Sequence, residues 1–190
     1  MKITKTLIIL VVSLLTFSFT TSDGEKLEKK IKKSKVVWKG YKVMGSHQGT
    51  IDLQQGSLSF ENDKLVGGTF IIDMTTITNS DQEGEYKQKL EGHLKSDDFF
   101  GVEKFPTATL TLKKVKSTGK NSYKVTGDLT IKGITKTIDF DFSLYGSKAN
   151  ATLKVDRAEY NVRYGSNSFF DDLKDKAIYD EFDLVVDLEF

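Results

Sequence analysis

Apolar and polar residues alternate along most of this chain, from Val36 to its C-terminus. The alternation is clearest in residues 181–190, where every second residue is Phe, Leu or Val and most residues between them are acidic. The same pattern recurs in residues 123–131 and 137–144. A period of two places alternate side chains on opposite faces of a strand. These segments are therefore predicted to be β-strands with one apolar face and one wet face.

The segments are joined by short turn-like groups, which favours antiparallel neighbours in an all-β fold. Lys132 and Gly133, for example, fit a tight hairpin turn with a positive φ at the glycine. About nine such strands form either a two-layer sandwich, filled by its own side chains, or a closed barrel with room for a ligand. The period alone does not choose between them. The remaining strands are predicted at residues 36–43, 49–54, 57–61, 65–74, 108–115 and 151–155.

One segment, from Ser80 to Phe100, interrupts the alternation. Ser80 and Glu83 have the spacing of a capping box, which marks the start of a helix. A helix is therefore predicted to join two halves of the sheet. The apolar residues that fall on one face of this helix are Tyr86, Leu90 and Leu94.

The first residues have the layout of a secretory signal peptide. Lys2 and Lys5 precede an apolar run from Leu7 to Phe19, and small polar residues follow it. The run is shorter than the roughly 20 residues that a membrane-spanning helix needs. Residues 1–22 are predicted to be cleaved, with an uncleaved anchor as the alternative. Because the chain has no cysteine, it is expected neither to be a lipoprotein nor to contain disulfides.

Residues 23–35 are rich in lysine and are predicted to be a basic linker ahead of a folded domain at residues 36–190. Leu27 and Ile31 have the i, i+4 spacing that a short surface helix would need. Transient contact of the lysines with anionic lipid headgroups is the alternative role. The whole chain carries a formal net charge of +1, which gives it no general attraction for nucleic acid.

Five segments carry distinctive motifs, and the longest contains HLKSDDFF followed by KFPTAT. The segments are Trp38–Gly40, Gly45–Ile51, Gly92–Thr109, Gly127–Lys136 and Asp156–Ser166. Together they resemble the YceI-like lipid/polyisoprenoid-binding family, over almost the whole of residues 36–190. The resemblance implies a lipocalin-like antiparallel β-barrel of about eight or nine strands, with an internal apolar tunnel for the tail of an isoprenoid or other long amphiphile. It also implies a bacterial periplasmic or secreted location.

The signature run of that family is predicted to act mainly in structure. Ser96 suits the N-cap of a short second helix, which Pro106 would end before launching the next strand. The alternative is that Phe99, Phe100 and Phe105 line the tunnel. The signature residues are His93, Leu94, Ser96, Asp98, Phe99, Phe100, Lys104, Phe105 and Pro106.

His47 and His93 are the only histidines, and no carboxylate lies at helical ligand spacing to form a zinc signature with them. His93 is predicted to tie the helix end to the barrel through a hydrogen bond, and His47 is predicted to have a loop role. The acidic residues are spread along the wet strand faces and do not converge on a pocket. No metal ligand or catalytic residue is therefore assigned, and the protein is predicted not to be an enzyme.

Arg157 and Arg163 are the only arginines, and they flank a tyrosine-rich strand. Salt bridges at the barrel rim, with acids such as Asp156 and Glu159, are the simpler interpretation. The alternative is recognition of a polar headgroup or phosphate by a guanidinium fork.

Three functions are compatible with these patterns. The first is an exported carrier or scavenger that holds a polyisoprenoid or other long-chain amphiphile and needs no cofactor. The second is a stress-response or interaction module with a solid barrel that binds a protein partner. The third, an enzyme acting on an isoprenoid, lacks a convergent nucleophile or metal set.

The first function assigns the ligand to the dry faces of the strands. A transient membrane-surface contact and a homodimer are further expected associations, and nucleic acid is not an expected partner. The predicted ligand-binding residues are Trp38, Ile51, Leu53, Phe60, Phe70, Ile72, Leu110, Leu129, Phe140, Phe142, Phe182 and Leu184.

Overall fold

The structure is a computed structural model that describes residues 26–190, which form a sheet of nine strands. The strands are β1 (Lys26–Lys30), β2 (Lys33–Lys42), β3 (Gly45–Glu61), β4 (Lys64–Asn79), β5 (Thr107–Ser117), β6 (Ser122–Ile131), β7 (Ile134–Tyr145), β8 (Lys148–Asp156) and β9 (Ile178–Glu189). One α-helix, α1 (Gly84–Lys95), follows β4, and two short 3-10 helices, Arg157–Tyr160 and Lys174–Lys176, lie between β8 and β9. None of these helices is long and apolar enough to cross a membrane. The predicted signal peptide, residues 1–22, lies outside the described residues.

Eight of the strands close into an antiparallel barrel. Around the ring the order is β3, β2, β9, β8, β7, β6, β5 and β4, and β4 pairs with β3 to complete it. The ninth strand, β1, pairs with β3 and lies outside the ring. The prediction of an all-β barrel is confirmed, and the alternative of a two-layer sandwich is wrong.

The lysine-rich start of the domain is a strand, which corrects the predicted linker at residues 23–35 and its alternative, a short helix. Lys26–Lys30 pairs with the C-terminal part of β3, and the Ile31 amide donates to the Gly56 carbonyl at 2.8 Å. β2 pairs with β3 only up to Ile51, so the rest of that edge of β3 would otherwise be unpaired. β1 covers this edge.

β3 and β4 are longer than the sequence predicted. The segments 49–54 and 57–61, predicted as two strands, are one continuous strand in β3. The pairing register with β4 shifts near Thr50 and again near Leu53, so β3 bends without ending. β4 continues to Asn79, beyond its predicted end at Met74. The bend lets these long strands curl around the barrel.

α1 forms within the predicted segment, but the predicted capping box at its start is wrong. Glu83 occupies the N-cap position, and its side chain makes no capping hydrogen bond. The Ser80 amide instead donates to the Gln48 carbonyl of β3 at 2.9 Å. On the predicted apolar face, Leu94 is buried whereas Tyr86 is 74% exposed. The helix therefore packs against the barrel through its C-terminal end.

The end of the barrel away from α1 is closed by two phenylalanines. Phe60 and Phe190 are both buried, with ring centroids 5.9 Å apart. The Lys29 Nζ of β1 lies over both rings, 4.7 Å from the Phe60 centroid and 5.4 Å from the Phe190 centroid. Because these three side chains fill the space between the strand ends, they plug this end of the barrel.

Strands β2, β3 and β4 approach closely at Gly49. This residue pairs with Trp38 on one side and with Asn79 on the other. The Trp38 Nε1 donates to the Thr78 carbonyl of β4 at 3.0 Å, so the indole crosses the position of Gly49. A methyl group on Gly49 would collide with the Thr78 carbonyl and lie 2.8 Å from the Trp38 ring. Only glycine fits here.

Gly49→Ala is therefore expected to lower the free energy of unfolding by about 1–3 kcal/mol or more, because the added methyl group meets rigid backbone. Gly40→Ala is the matched control in β2, since a methyl group there has no other atom within 4 Å. The control should stay within about 1 kcal/mol of wild type. Urea denaturation followed by Trp38 fluorescence measures both, and equal midpoints for the two variants would contradict the close approach.

Candidate functional site

The inner faces of the strands are not filled by their own side chains. Phe182, Leu184 and Val186 of β9 face the interior, yet each is only partly buried. Ile72 of β4 and Leu110 of β5 also face the interior and are only partly buried. Interior side chains in a solid core are close-packed on all sides. The partial burial of these side chains indicates a hollow barrel.

Two cavities occupy the hollow. The upper cavity lies beside α1 and the β8–β9 connection and has a volume of about 120 Å³. The deep cavity lies toward the closed end and has a volume of about 70 Å³. Each is far larger than the roughly 10–15 Å³ that one buried water needs. Every side chain in the wall of the deep cavity is apolar, and the wall of the upper cavity has only Arg157 and Tyr179 as side chains with polar atoms besides the Trp38 indole.

The two cavities adjoin at four side chains that border both, here called the waist: Val36, Ile72, Leu129 and Leu184. Along β9 the combined wall runs from Ile178 to Leu188. With a rise of about 3.3 Å per residue and a strand tilt of about 40°, this stretch extends roughly 25 Å along the barrel axis. An extended hydrocarbon chain of roughly twenty carbons has that length. The arrangement is an elongated apolar tunnel.

The structure brings most of the predicted ligand-binding residues to this tunnel. Phe60 is the exception, since it belongs to the plug with Phe190 and borders neither cavity. Whether the others contact a ligand stays a prediction. Trp38, Ile51 and Phe182 border the upper cavity, Leu53, Phe70, Leu110, Phe140 and Phe142 border the deep cavity, and Ile72, Leu129 and Leu184 border both.

Several wall residues were missed by the sequence analysis. Ile77 lies in the part of β4 beyond its predicted end, so no pattern assigned it to the inner face. Leu112 and Leu153 fall in predicted strands, in phase with the other inward residues, and the alternation would have found them. Val36 and Met74 likewise lie at the ends of predicted strands. The alternation thus identifies the wall wherever the strand boundaries are correct.

The signature run closes the upper end of the barrel, but Ser96 is not the N-cap of a second helix. Ser96 is the C-cap of α1, and its Oγ donates to the His93 carbonyl at 2.7 Å. The amides of Phe99 and Gly101 donate to the Ser96 carbonyl at 3.0 and 2.8 Å, which makes a series of turns. α1 is the only α-helix in residues 26–190. Ser96 therefore ends one helix and organises the turn that follows.

Lys132 fastens this turn to the barrel. It lies in the β6–β7 hairpin with a φ of 51°, next to Gly133, whose φ of 74° confirms the predicted turn. The Lys132 Nζ donates to the Phe99 carbonyl at 2.6 Å and to the Asp97 carbonyl at 3.3 Å. Burial lowers the pKa of this ammonium, and the Asp97 and Asp98 carboxylates act in the opposite direction. The Lys132 ammonium group therefore lies beside backbone carbonyl oxygens that accept hydrogen bonds from it.

Two of the three signature phenylalanines reach the tunnel. Phe99 and Phe100 border the upper cavity together with Leu94, and their ring centroids are 5.0 Å apart. Phe105 does not border it, and its ring packs against the backbone of Gly133. The structural role and the tunnel-lining role therefore coexist within the same short run.

The remaining signature residues act on the outside of this turn. Pro106 directly precedes β5, which begins at Thr107, one residue before the predicted start of that strand. Lys104 forms an exposed ion pair with Asp97, with Nζ and Oδ2 2.6 Å apart. The hydrogen bond to Asp97 raises the pKa of Lys104. Asp98 is exposed.

The two histidines make local contacts. His93 lies edge-on to Phe99 and Tyr164, with ring centroids 5.7 and 4.2 Å away, in place of the predicted hydrogen bond. His47 lies in β3, outside a loop, with its Nδ1 3.4 Å from the Asp81 Oδ2. Within residues 26–190, no three His, Cys, Asp or Glu side chains are grouped so that they could hold a metal ion.

Arg157 is a buried wall residue that forms a salt bridge as predicted, but its partner is Asp180 and not Asp156 or Glu159. It is 2% exposed, and its Nη2 lies 3.4 Å from the Asp180 carboxylate. Burial lowers the pKa of the guanidinium, and Asp180 acts in the opposite direction. The guanidinium donates to four backbone carbonyls: Tyr179 from Nε at 3.2 Å, Val162 and Tyr164 from Nη1 at 2.9 Å each, and Ile178 from Nη2 at 3.0 Å.

These hydrogen bonds engage most of the N–H donors of Arg157 with carbonyls of the protein's own backbone. A guanidinium has five N–H groups, of which four donate to carbonyls here and one remains toward Asp180. The side chain therefore joins the loop after the first 3-10 helix to the start of β9, instead of presenting a free fork to a headgroup. Arg163, the other arginine, is exposed and lies over Phe169, with its Cζ 4.7 Å from the ring centroid.

Comparison with known sequences gives a family match over the whole described domain. The family model of the YceI-like domain matches residues 27–190. A UPF0312 protein of Pseudomonas putida is 31% identical over 125 residues, which are 64% of this chain and 62% of that protein. A UPF0312 protein of Photorhabdus laumondii is 46% identical over 54 residues, 28% of each chain. The matched part thus spans less than two thirds of these curated relatives.

Comparison with solved structures gives the same fold. BcnA of Burkholderia cenocepacia superposes with a TM-score of 0.66 at 22% identity, covering 82% of this chain and 94% of BcnA. A polyisoprenoid binding domain from Saccharophagus degradans superposes with a TM-score of 0.57 at 16% identity, covering 84% of this chain and 97% of that domain. At such identities the similarity shows the barrel fold alone.

Arg157→Lys is expected to lower the free energy of unfolding by about 3 kcal/mol or more, because a lysine cannot serve the four carbonyls and leaves buried acceptors unpaired. The matched control is Arg163→Lys at an exposed position, which should cost less than about 1 kcal/mol. Chemical denaturation of both variants measures the difference. A loss for Arg157→Lys no larger than that of the control would show that the guanidinium does not hold the loop.

Proposed function

The chain belongs to the YceI-like family, and from that premise we propose that it is an exported binding protein that holds a polyisoprenoid or other long-chain amphiphile inside its barrel. The observation that carries the proposal is the tunnel formed by the upper and deep cavities, whose walls are almost entirely apolar. A tail that leaves water for such a space gains about 0.8 kcal/mol per CH₂ group. A chain of many such groups therefore has a strong driving force to enter.

The ligand class has independent support from the neighbouring structures. The domain from Saccharophagus degradans is named as polyisoprenoid binding, and it covers most of this chain with the same fold. Membership in the YceI-like family, together with a structural neighbour that is named as a binding domain, suggests a binding role rather than a catalytic one for this chain. The tunnel wall accords with that role, since Arg157 and Tyr179 are its titratable side chains and the Arg157 donors are engaged with backbone. General acid–base chemistry needs positioned groups free to exchange a proton.

Export is part of the proposal and rests on the sequence. Lys2 and Lys5 ahead of the apolar run from Leu7 to Phe19 form a signal-peptide pattern, and a periplasmic or secreted location follows from its cleavage. The mass of the mature protein, measured in the periplasmic and secreted fractions, tests this point. A protein that keeps Met1 and remains in the membrane fraction would contradict it.

The ligand itself is tested by extraction. Mass spectrometry of an organic extract of the purified protein should detect a long-chain lipid, and Phe142→Trp should reduce its amount per folded molecule because the larger ring fills part of the deep cavity. Phe170→Trp makes the same change at an exposed position outside both cavity walls and should leave the lipid content at the wild-type level.

Two outcomes would speak against the carrier function. A lipid-free extract together with failure of the delipidated protein to take up any added long-chain amphiphile would favour the interaction module. Equal lipid loss in Phe142→Trp and Phe170→Trp would place the ligand outside the barrel.

A further inference from the structure

Lysine is concentrated in three segments at the closed end of the barrel. Residues 26–35, which comprise β1 and the start of β2, have six lysines and one acidic residue. Residues 113–124, which include the β5–β6 hairpin, have five lysines and no acidic residue. The β7–β8 hairpin adds Lys148. All of these lysines are exposed except Lys29, which lies partly buried over the two rings of the plug.

Backbone hydrogen bonds join these segments into one continuous surface, here called the basic rim (residues 26–35, 113–124 and Lys148). The bonds pass from the start of β2 through the end of β9 and the β7–β8 hairpin to the β5–β6 hairpin. They run from the amides of Lys32, Phe190 and Leu144 to the carbonyls of Glu189, Ser147 and Asn121, at 2.7, 2.9 and 2.9 Å respectively. The lysines of β1 are therefore one side of a larger basic surface.

The charge of the basic rim is only partly compensated. Lys30, Lys32 and Lys148 form no ion pair with any carboxylate of residues 26–190. The β3–β4 hairpin at the same end has Glu61 and Asp63, but it is not part of the rim. The ion pairs that the rim lysines do form within these residues are Lys33 with Glu189, Lys113 with Asp128 and Lys124 with Asp141.

The upper end of the barrel has no comparable excess of cations. Residues 80–98, around α1, have six acidic residues and three lysines. The β8–β9 connection, at residues 156–180, has six acidic and four basic residues. The β2–β3 and β6–β7 hairpins at this end contribute a few further lysines, among them Lys42 and Lys132. Uncompensated positive charge is thus concentrated at the closed end.

Two apolar side chains stand exposed beside these lysines. Leu27 of β1 is 49% exposed, and Tyr145 at the end of β7 is 53% exposed. Tyr145 lies next to the turn whose Ser147 accepts the hydrogen bond from the Phe190 amide. The aromatic ring and the hydroxyl of a tyrosine together suit the boundary between hydrocarbon and headgroups in a bilayer, and lysine stems can lie across the same boundary.

We propose that the basic rim docks the barrel on bilayers that contain anionic lipids. Such a surface attracts lysine ammonium groups, and each lysine close to it strengthens binding by roughly fivefold. Leu27 and Tyr145 then enter the headgroup region, and the upper end of the barrel points away from the membrane. The docking does not depend on what the tunnel holds, so it goes beyond the proposed carrier function.

A bilayer fits the basic rim better than a nucleic acid does. The rim has no arginine, since Arg157 and Arg163 lie at the upper end, and the arginine fork is the group that best recognises individual phosphates. Exposed Leu27 would find an apolar partner only in the bilayer. The apolar run Leu7–Phe19 also precedes Lys26, the first described residue, which lies in the rim. A leader that engages the membrane would therefore bring this end of the barrel to it.

Cosedimentation with vesicles tests the docking. The protein should bind vesicles of equal parts phosphatidylglycerol and phosphatidylcholine at low salt, and it should not bind vesicles of phosphatidylcholine alone. High salt should release it, because exposed charges are then screened. The triple variant Lys30→Gln, Lys32→Gln and Lys148→Gln should bind the anionic vesicles at least about tenfold more weakly, since three cations are removed from the contact.

The matched control is the triple variant Lys42→Gln, Lys174→Gln and Lys176→Gln at the upper end. These side chains are also exposed and form no ion pair within residues 26–190, and the change in net charge is the same. The control should bind the anionic vesicles almost as the wild type does, because its cations point away from the membrane. Equal binding by the two triple variants, or equal binding of the wild type to both kinds of vesicle, would overturn the proposal.

A tryptophan at either end of the barrel tests the orientation. Tyr145→Trp in the β7–β8 hairpin and Tyr86→Trp on α1 each place an indole at an exposed tyrosine position, and the native Trp38 contributes equally to both variants. Bromine quenches tryptophan fluorescence only at short range. Phosphatidylglycerol that is brominated near the headgroup end of its acyl chains should therefore quench Tyr145→Trp more strongly than Tyr86→Trp. The reverse order, or equal quenching, would show that the closed end does not face the membrane.

Two further measurements separate this docking from other functions. If the Lys30, Lys32 and Lys148 variant lost binding to a double-stranded DNA oligonucleotide but kept its binding to anionic vesicles, the rim would be a nucleic-acid surface and the proposal would be wrong. The lipid content of the purified variant should equal that of the wild type, because these lysines border neither cavity. A failure of docking therefore leaves the carrier function standing, and a lipid-free tunnel leaves the docking standing.

Discussion

The pairing of β4 with β3 is the constraint on which the rest of this structure depends, because it closes the sheet. Each strand has an apolar face that must be kept from water, and an open sheet would need a second layer to cover it. A ring of eight strands covers all of these faces at once, but it encloses more space than its aliphatic side chains fill. Because part of the enclosed space is unfilled, the inward side chains of Phe182, Leu184 and Val186 are only partly buried. One requirement therefore produces both the fold and the tunnel.

A closed ring still has two ends, and the protein seals them by different means. The end near β1 is packed with hydrophobic rings, Phe60 and Phe190, beneath the Lys29 ammonium group. The other end is covered by irregular chain, whose carbonyls have no partner strand and still require donors. Lys132 and Arg157 supply several N–H groups each to such carbonyls, which lets irregular backbone lie over an apolar cavity. Because these cations serve the backbone, their charge does not by itself indicate a headgroup site.

The strands and most of the tunnel wall could be predicted because alternation is a local pattern that directly reports which face is inward. The closed barrel was predicted only from the resemblance to the YceI-like family, since alternation does not distinguish a barrel from a sandwich. The misses have a common origin in tertiary contacts. Lys26–Lys30 has a composition typical of a linker, and it becomes a strand only because β3 leaves an edge uncovered. Ser96 has the chemistry of a cap at either helix end, and only its bond to the His93 carbonyl decides which. Phe60 has the same period as the buried Gly56 and Leu58 of β3, but it lies at the closed end of the barrel, where its ring packs against Phe190.

The hollow interior also changes how stability is distributed. Side chains that face a cavity lack neighbours on one side and forfeit part of their dispersion contacts. The partly buried wall side chains thus contribute less per residue than fully buried side chains that border neither cavity, such as Leu58, Val125 and Val155. The ionic pairs of the outer face, such as Lys154 with Glu181 and Asp183, are exposed and add little to the balance. An apolar chain in the tunnel would supply the missing contacts. Because such a ligand binds only the folded barrel, its binding would raise the free energy of unfolding.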